Sequence, residues 1–330
     1  MDHILIKIKY LFGLSFFLTL GMLFVFSWSA FSQKSEVKIR TDRKEHKVDV
    51  LINGKLFTSY LFSDSLRKPI LYPLRAADGT IVTRGFPIIP QPGETKDHPH
   101  QVGLWFNYED VNGLDFWNNS YAIPEDELSH YGWIRQRKIV KAKSGKTGML
   151  QVVADWENQQ GNVLIKEKTT FQFRGNDDQR IIDRKTTLTA KIPVTFNDIK
   201  DGLLGIRVAK GLKSPQGSYL SSTGKTGKEV WGTRACWCSL YSEMNGEKIS
   251  ITIFDHPHNP GYPTYWHARG YGLFAANPLG AKIFSDGKET MNLHLNKGES
   301  VTFQYRILIQ NGRQPSVKEL NKEANHFAEK

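Results

Sequence analysis

Hydrophobic and polar residues alternate along several segments of the chain, with the period of two that is typical of half-buried β-strands. The clearest alternation covers Ser300–Ile309, where five apolar side chains share one face of the predicted strand. These five are Val301, Phe303, Tyr305, Ile307 and Ile309. Similar runs at Met149–Trp156, Asn162–Phe173 and Arg180–Ala190 are separated by Gly-containing turn sequences, so they predict three neighbouring antiparallel strands.

Two short motifs predict a hairpin and a helix. Asn53-Gly54 lies between the apolar runs Val48–Ile52 and Lys55–Tyr60 and is typical of a two-residue β-hairpin turn. Near the C-terminus, Ser316 and Glu319 have the spacing of a capping box, and apolar residues follow at helical spacing. The apolar residues are Val317, Leu320, Ala324 and Phe327.

Many short strands and one terminal helix predict an all-β fold, a large antiparallel β-sandwich with a C-terminal helix. No Pro-, Gly- or Ser-rich linker divides the chain, so residues 33–330 are predicted to form one domain. Residues 73–125 are rich in Pro, Gly and aromatic residues and lack a clean period. Because long ordered loops of this kind usually carry function, we expect the site to involve this segment.

Residues 1–32 are typical of an export signal. Lys7 and Lys9 precede an apolar stretch over residues 10–31, and Ala30-Phe31-Ser32 has the small residues of a signal-peptidase site. The stretch is also long enough to span a bilayer, which takes about 20 residues. We therefore expect an extracytoplasmic protein, periplasmic or secreted, with cleavage favoured over retention of residues 10–31 as a membrane anchor. Any contact with the membrane would be made through this segment alone.

The formal net charge of +11 invites comparison with nucleic-acid-binding proteins. Lys and Arg are scattered along the chain and alternate with acidic residues, so the sequence predicts no nucleic-acid partner. A solvated surface, or a mild attraction to acidic glycans or envelope surfaces, fits this charge better. The two cysteines, Cys236 and Cys238, are interpreted as buried thiols, so the fold is expected to stand without a disulfide framework.

One tetrapeptide occurs twice, at Asp97-His98-Pro99-His100 and at Asp255-His256-Pro257-His258. Three interpretations remain open. The histidines and carboxylates are ligands for zinc, copper or iron, or they carry protons near neutral pH, or they hydrogen-bond backbone in tight turns. The sequence leaves metal and cofactor unassigned. The candidate catalytic residues are His98, His100, His256, His267, Asp97, Asp255 and Glu157.

Arginines and tryptophans near these histidines are candidates for binding a small-molecule or glycan ligand. An arginine fork binds carboxylates or neighbouring sugar hydroxyls, although each of these arginines is equally suited to an ordinary salt bridge. Tryptophans form stacking platforms or fill a core. The candidate binding residues are Arg84, Arg207, Arg269, Trp105, Trp117 and Trp266.

A longer string of motifs resembles a known family. The motifs are Tyr72-Pro73-Leu74, Val82-Thr83-Arg84-Gly85, Asp97-His98-Pro99-His100, Gly103-Leu104-Trp105-Phe106, Asp115-Phe116-Trp117 and Gly205-Ile206-Arg207-Val208. Together they resemble the PmoA-type domain family of unknown function, often labelled "methane oxygenase". The resemblance implies a galactose-mutarotase-like supersandwich, in which a histidine, a carboxylate and an arginine meet in a shallow cleft. Members often carry His-His-Arg where this chain has His100-Gln101-Val102, so a cationic contact expected there is missing or supplied by another residue.

Three hypotheses about function follow from the residues and the resemblance. The first is a carbohydrate-active enzyme or accessory protein, with an isomerase, lyase or hydrolase favoured, and it expects a carboxylate and a histidine facing each other across an open cleft. The second is a non-catalytic glycan-binding protein with an exposed aromatic platform. The third, suggested by the family label, is a metal-dependent oxygenase with three ligands converging on one point.

Overall fold

Two eight-stranded antiparallel β-sheets make up most of the structure, a computed structural model that describes residues 36–330. The strands are β1 (Val37–Asp42), β2 (Lys47–Ile52), β3 (Lys55–Leu61), β4 (Ile70–Leu71), β5 (Leu104–Tyr108), β6 (Trp133–Lys143), β7 (Gly148–Glu157), β8 (Val163–Gly175), β9 (Gln179–Ala190), β10 (Val194–Phe196), β11 (Gly202–Arg207), β12 (Ser218–Ser221), β13 (Trp237–Met244), β14 (Glu247–Asp255), β15 (Tyr265–Ala268), β16 (Leu273–Asn277), β17 (Leu293–Leu295) and β18 (Ser300–Asn311). The α-helices are α1 (Ala281–Phe284) and α2 (Val317–Ala328), and short 3₁₀ turns cover Glu125–His130, Lys210–Leu212 and Gly227–Val230.

The first sheet has the strand order β1-β2-β3-β4-β5-β11-β16-β15, and the second has the order β12-β13-β14-β18-β9-β8-β7-β6. Their inner faces pack against each other. Phe106 of β5 contacts Phe303 of β18 at a ring-centroid distance of 5.9 Å, and Phe57 of β3 meets Phe173 of β8 edge-on at 6.4 Å. This arrangement confirms the predicted all-β antiparallel sandwich.

The periodic segments are strands where the sequence predicts them. The strands β7, β8 and β9 are adjacent and antiparallel, and β18 pairs with β9. Asn53 and Gly54 have φ angles of 51° and 78°, the left-handed values that a type I′ hairpin turn requires. The predicted export or anchor segment, residues 1–32, lies outside the described residues. Within residues 36–330, no helix has the length and apolarity needed to cross a membrane.

The C-terminal helix α2 covers the outer face of the second sheet. Its Leu320 and Phe327 are buried in a cluster with Trp237, Phe254 and Leu308. The predicted capping box is present, because the Ser316 hydroxyl accepts from the Glu319 N–H, and the Glu319 carboxylate accepts from the Ser316 N–H at 2.8 Å.

The outer face of the first sheet is covered by residues 73–125 instead of by a helix. All six residues of β11 are buried, because Leu204 and Ile206 face the sandwich core while the other side lies under these loops. Gly205 faces the loop side. A Cβ atom there would come within 2.5 Å of the Trp105 ring, so only glycine lets Trp105 pack on the strand.

Removing the cap of α2 tests how far the helix stabilises the second sheet. We expect Ser316→Ala to lower the free energy of unfolding by about 1 kcal/mol, because a helix N-terminal N–H loses its acceptor. Ser316→Asp, which keeps an acceptor, is the control and should stay within about 0.5 kcal/mol of the original. Urea unfolding followed by tryptophan fluorescence measures both; equal stability of the alanine variant and the original would show that the cap does not contribute.

Candidate functional site

A carboxylate between two buried arginines lies at the centre of the covered face of the first sheet. Arg207 Nη2 donates to Asp97 Oδ1 at 2.8 Å and to Oδ2 at 2.9 Å, and Arg84 Nη1 donates to Oδ1 at 2.9 Å. The side chains of Arg207 and Arg84 are 0% and 2% exposed, whereas that of Asp97 is 38% exposed. Because unpaired buried charges are costly, Asp97 compensates both guanidinium groups at once.

The two arginines also fix the loop that carries Asp97. Arg84 donates to the backbone carbonyls of Asp97, His98 and Gln101 at 2.8–3.0 Å. Arg207 donates to the side-chain oxygen of Gln101. The Nη donors of Arg84 and Arg207 are thus directed to protein acceptors, whereas the Nε atoms of both are buried without a partner among residues 36–330. These bonds position the loop, and among the arginines predicted to hold a ligand Arg269 lines the open space while Arg84 and Arg207 do not.

Hydrogen bonds hold Asp97 in its ionised form. Partial burial alone would raise the pKa of its carboxyl group, but hydrogen bonds from Thr95, His98 and Arg207 bring the pKa well below its usual range. His98 Nδ1 lies 2.8 Å from Asp97 Oδ2. Since a carboxylate only accepts, Nδ1 is the donor, so in a singly protonated ring Nε2 is the nitrogen with a free lone pair.

His98 is held in place from three directions. Its backbone has a φ angle of 46°, in the left-handed region that costs free energy for a residue with a side chain. Its ring stacks in parallel on Tyr271, with 5.1 Å between centroids and 4° between planes. Its Nδ1–H is held by Asp97. The imidazole of His98 is therefore oriented by the loop, the stack and the carboxylate together.

An open cleft with a volume of about 320 Å³ lies beside this centre. Its size is within the range of small-molecule sites. The lining residues are His98, His100, Gln101, Trp117, Asn118, Lys200, Asp201, His267, Arg269 and Tyr271. The first tetrapeptide and the segment around His267 thus meet in one place, as the sequence predicts.

Two further imidazoles in the cleft are neutral at physiological pH. Burial, reinforced by the positive charge of Lys68, lowers the pKa of His100 to about 2. Burial also lowers the pKa of His267 to about 4, although Asp201 opposes this shift. His267 Nδ1 lies 3.1 Å from the Lys200 carbonyl oxygen and 3.3 Å from Asp201 Oδ1, so Nδ1 carries the proton and Nε2 is an acceptor.

Asp201 lines the cleft and lies next to the carboxyl group of Glu109, a pair that the sequence did not point to. The Lys200 ammonium pairs with Asp201, and Asp201 interacts with Glu109 behind it. Burial and then the charge of Asp201 raise the pKa of Glu109 to about 7. Tyr108 and Gly202 are paired across β5 and β11, which brings Glu109 and Asp201 together at the strand ends. That long-range pairing is the one signal that identifies them.

The second tetrapeptide lies outside the cleft. Asp255 ends β14 in the second sheet, where Asn259 Nδ2 donates to it at 2.7 Å and the Thr264 N–H at 2.8 Å. Burial raises the pKa of Asp255 to about 7. The His256 ring packs edge-on against Phe327 at 5.0 Å. The expectation that His256 and Asp255 share a cleft with His98 is thus corrected, since the two copies lie on different sheets.

Other candidates are also placed elsewhere. Glu157 pairs with Arg135 and Arg137 of the edge strand β6, away from the cleft. The three predicted tryptophans are fully buried, so they form no exposed stacking platform, and only Trp117 borders the cleft. In the part of the chain that the structure describes, no group of three or more His, Cys, Asp or Glu side chains is placed to hold a metal ion. The convergence expected by the oxygenase hypothesis is not found in residues 36–330.

Comparison with known sequences identifies a family but not an activity. Residues 47–325 match the family of unknown function DUF6807, and the chain belongs to that family. No curated protein matches the chain.

Several solved structures are similar in outline. A galactose mutarotase-like protein from Clostridium acetobutylicum matches with a TM-score of 0.37 and 10% identity, covering 83% of this chain and 98% of that one. A galactose mutarotase related enzyme from Lactobacillus acidophilus matches with a TM-score of 0.28 and 9% identity, covering 84% of this chain and 97% of that one. A GH36 α-galactosidase from Geobacillus stearothermophilus has a TM-score of 0.40 and 10% identity, covering 84% of this chain and 41% of that enzyme. This chain therefore spans about two fifths of the α-galactosidase, and with TM-scores this low no activity is transferred from these neighbours.

Removing the carboxylate of Asp97 leaves two guanidinium groups without a counter-charge. We expect Asp97→Asn to lower the free energy of unfolding by about 2 kcal/mol at pH 7, less than for a fully buried pair because the carboxylate is 38% exposed. Because the folded state lowers the pKa of Asp97, its contribution is complete above about pH 4 and is lost at lower pH. Urea unfolding from pH 3 to 7 should show that the difference in free energy of unfolding between the original protein and Asp97→Asn becomes smaller below about pH 4. Glu289→Gln, at an exposed pair with Arg234, is the control and should cost less than about 1 kcal/mol.

The raised pKa of Glu109 predicts the opposite dependence on pH. Its folded pKa of about 7 exceeds the value of about 4.3 in an unfolded chain, so the folded state binds the extra proton between these values. Stability from this group is present below about pH 4 and is lost as the pH rises through 7. We expect Glu109→Gln to gain stability relative to the original between pH 5 and pH 8, while the exposed control Glu125→Gln shows no such trend. If the difference in free energy of unfolding between Glu109→Gln and the original stayed constant from pH 5 to pH 8, the raised pKa of Glu109 would be contradicted.

Proposed function

We propose that this chain is a carbohydrate-active enzyme that transfers a proton on a sugar bound in the cleft, with His98 as the general base. The observation that carries the proposal is the hydrogen bond of 2.8 Å between His98 Nδ1 and the ionised carboxylate of Asp97. It orients the ring and leaves Nε2 free to accept a proton at the open side. The resemblance to the PmoA-type family and an extracytoplasmic location, expected from residues 1–32, are parts of the same proposal.

The polar lining suits the hydroxyl groups of a sugar. The neutral rings of His100 and His267 accept hydrogen bonds without carrying charge, and the Asn118 amide adds both a donor and an acceptor. Charged Lys200 and Arg269 border the same space. When His98 removes a proton from the anomeric hydroxyl or a neighbouring carbon, the Lys200 ammonium stabilises the negative charge that develops on oxygen.

The cleft favours an isomerase or a lyase among the carbohydrate-active classes. Both reactions begin with removal of a proton by a positioned base, and neither needs a second free carboxylate beside the substrate. Asp97 is bound to two arginines, and Asp201 is bound to Lys200, so neither is a free nucleophile. The pair of Glu109 and Asp201, which holds a proton near neutral pH, returns a proton to the site through Asp201 or a bound water.

The role of His98 is tested by comparing it with an exposed histidine of the other tetrapeptide. We expect His98→Gln to lower kcat at least about 100-fold in a panel of aldoses and uronates, with a smaller effect on KM. His258→Gln changes an exposed histidine in the turn that follows β14, outside the cleft, and should have no effect. Proton NMR in deuterium oxide follows both anomer interconversion and exchange at carbon.

Two outcomes of this experiment would overturn the proposal. Full turnover by the His98→Gln variant would remove His98 as the base. Tight sugar binding without turnover by the original protein would favour the glycan-binding alternative.

A further inference from the structure

Trp231 is a large aromatic side chain on the surface beside the cleft. It is 38% exposed, whereas the three tryptophans singled out in the sequence are fully buried. Its ring meets Phe284 edge-on at 5.7 Å, and Phe284 meets His267 edge-on at 6.1 Å. Because His267 lines the cleft, these contacts place Trp231 at the rim on the His267 side.

Arg269 connects Trp231 to the cleft, because its guanidinium lies over the face of the Trp231 ring and has no carboxylate partner within residues 36–330. Its side chain lines the cleft, and its guanidinium carbon lies 5.6 Å from the centroid of the Trp231 ring. The other cations that face the site are paired, Arg207 with Asp97 and Lys200 with Asp201. Within residues 36–330, Arg269 forms no ion pair. A guanidinium in this situation binds a carboxylate with both arms of its fork.

A second cavity, of about 230 Å³, lies next to this rim. Residues 269–271 separate the two spaces, since Arg269 and Tyr271 line the cleft while Gly270 lines the second cavity. Lys228, three residues before Trp231, also borders the second cavity. Arg269, with the Trp231 ring against its guanidinium, therefore lies at the boundary between the cleft and the second cavity.

We propose that Trp231 and Arg269 form a second subsite, which binds a carboxylate-bearing sugar unit next to the one held in the cleft. The ligand would thus be an acidic oligosaccharide, with a sugar face on the Trp231 ring and its carboxylate on Arg269. This inference rests on the carbohydrate function proposed above and names its substrate class. The formal net charge of +11 supports it, since a positive surface attracts acidic glycans.

Calorimetry with matched ligands tests the second subsite. The ligands are trisaccharides of galacturonate, mannuronate and glucuronate, their monomers, and the methyl esters of the trisaccharides. We expect the full chain to bind at least one acidic trisaccharide about tenfold more tightly than its monomer, because a second unit is stacked. The same trisaccharide should bind about fivefold more tightly than its ester, because the ester has no charge for Arg269.

Variants assign these two preferences to the two side chains. Trp231→Ala should remove the preference for the trisaccharide over the monomer, and Trp231→Phe should retain part of it. Arg269→Gln should remove the preference for acid over ester. Tyr121→Ala, which shortens an exposed aromatic side chain bordering a different cavity, is the control and should retain both preferences.

The result separates this inference from the function on which it rests. Equal affinity for monomer and trisaccharide, or preferences that survive in Trp231→Ala and Arg269→Gln, would overturn the second subsite and leave the role of His98 in place. A third outcome is that no acidic monomer or trisaccharide binds, while proton exchange on neutral sugars still depends on His98. That result would contradict the proposed second subsite but not the proposed enzyme function. If neither binding nor exchange is observed, both proposals are wrong.

Discussion

The charge of Arg207 is the constraint on which the cleft depends. Arg207 lies at the end of a buried strand with no exposed side-chain surface, so its guanidinium needs a partner inside the protein. Asp97 supplies it, and Asp97 can reach only if the loop 84–101 folds back over the first sheet. Arg84, at the start of that loop, donates hydrogen bonds to the backbone carbonyls of Asp97, His98 and Gln101 near its end. The free energy of neutralising two cations therefore also determines where His98 and His100 lie.

The same burial sets the protonation of the site. Desolvation opposes charge on His100 and His267, which stay neutral, and it keeps a proton on Glu109 up to about pH 7. Asp97 remains ionised because hydrogen bonds outweigh its partial burial. Neutral imidazole acceptors thus line the cleft, while an ionised carboxylate at Asp97 and a protonated carboxyl group at Glu109 lie directly behind its lining residues His98 and Asp201. This combination is suited to moving protons on a ligand that is rich in hydroxyl groups.

The sequence predicts the parts of the fold that local chemistry determines. Alternation identifies β18, turn residues identify the hairpin at Asn53-Gly54, and the capping box identifies α2. Strand β11 was missed because both of its faces are buried, which removes the alternation.

The site was predictable only in part, for the same reason. His98, His100 and His267 border one cleft and Arg207 binds Asp97 beside it, and each of these residues belongs to a recognisable motif. The identical second tetrapeptide begins at the last residue of a strand in the other sheet, where Asp255 accepts backbone and side-chain hydrogen bonds. Because the two tetrapeptides have the same sequence, no local pattern distinguishes them. Glu109 and Asp201 meet only through the pairing of β5 with β11, almost a hundred residues apart in the chain. Trp231 belongs to no motif, and its exposure follows from tertiary packing alone.

The most direct test of the central claim is the tautomer of His98, measured by two-bond ¹H–¹⁵N NMR of the imidazole groups in the intact protein. The account predicts that the neutral ring of His98 carries its proton on Nδ1, held by Asp97, with Nε2 unprotonated. The exposed ring of His258 provides the internal comparison and should show no such fixed preference. A neutral His98 ring protonated on Nε2, or one that exchanges between tautomers as His258 does, would contradict the claim that Asp97 orients a base toward the cleft.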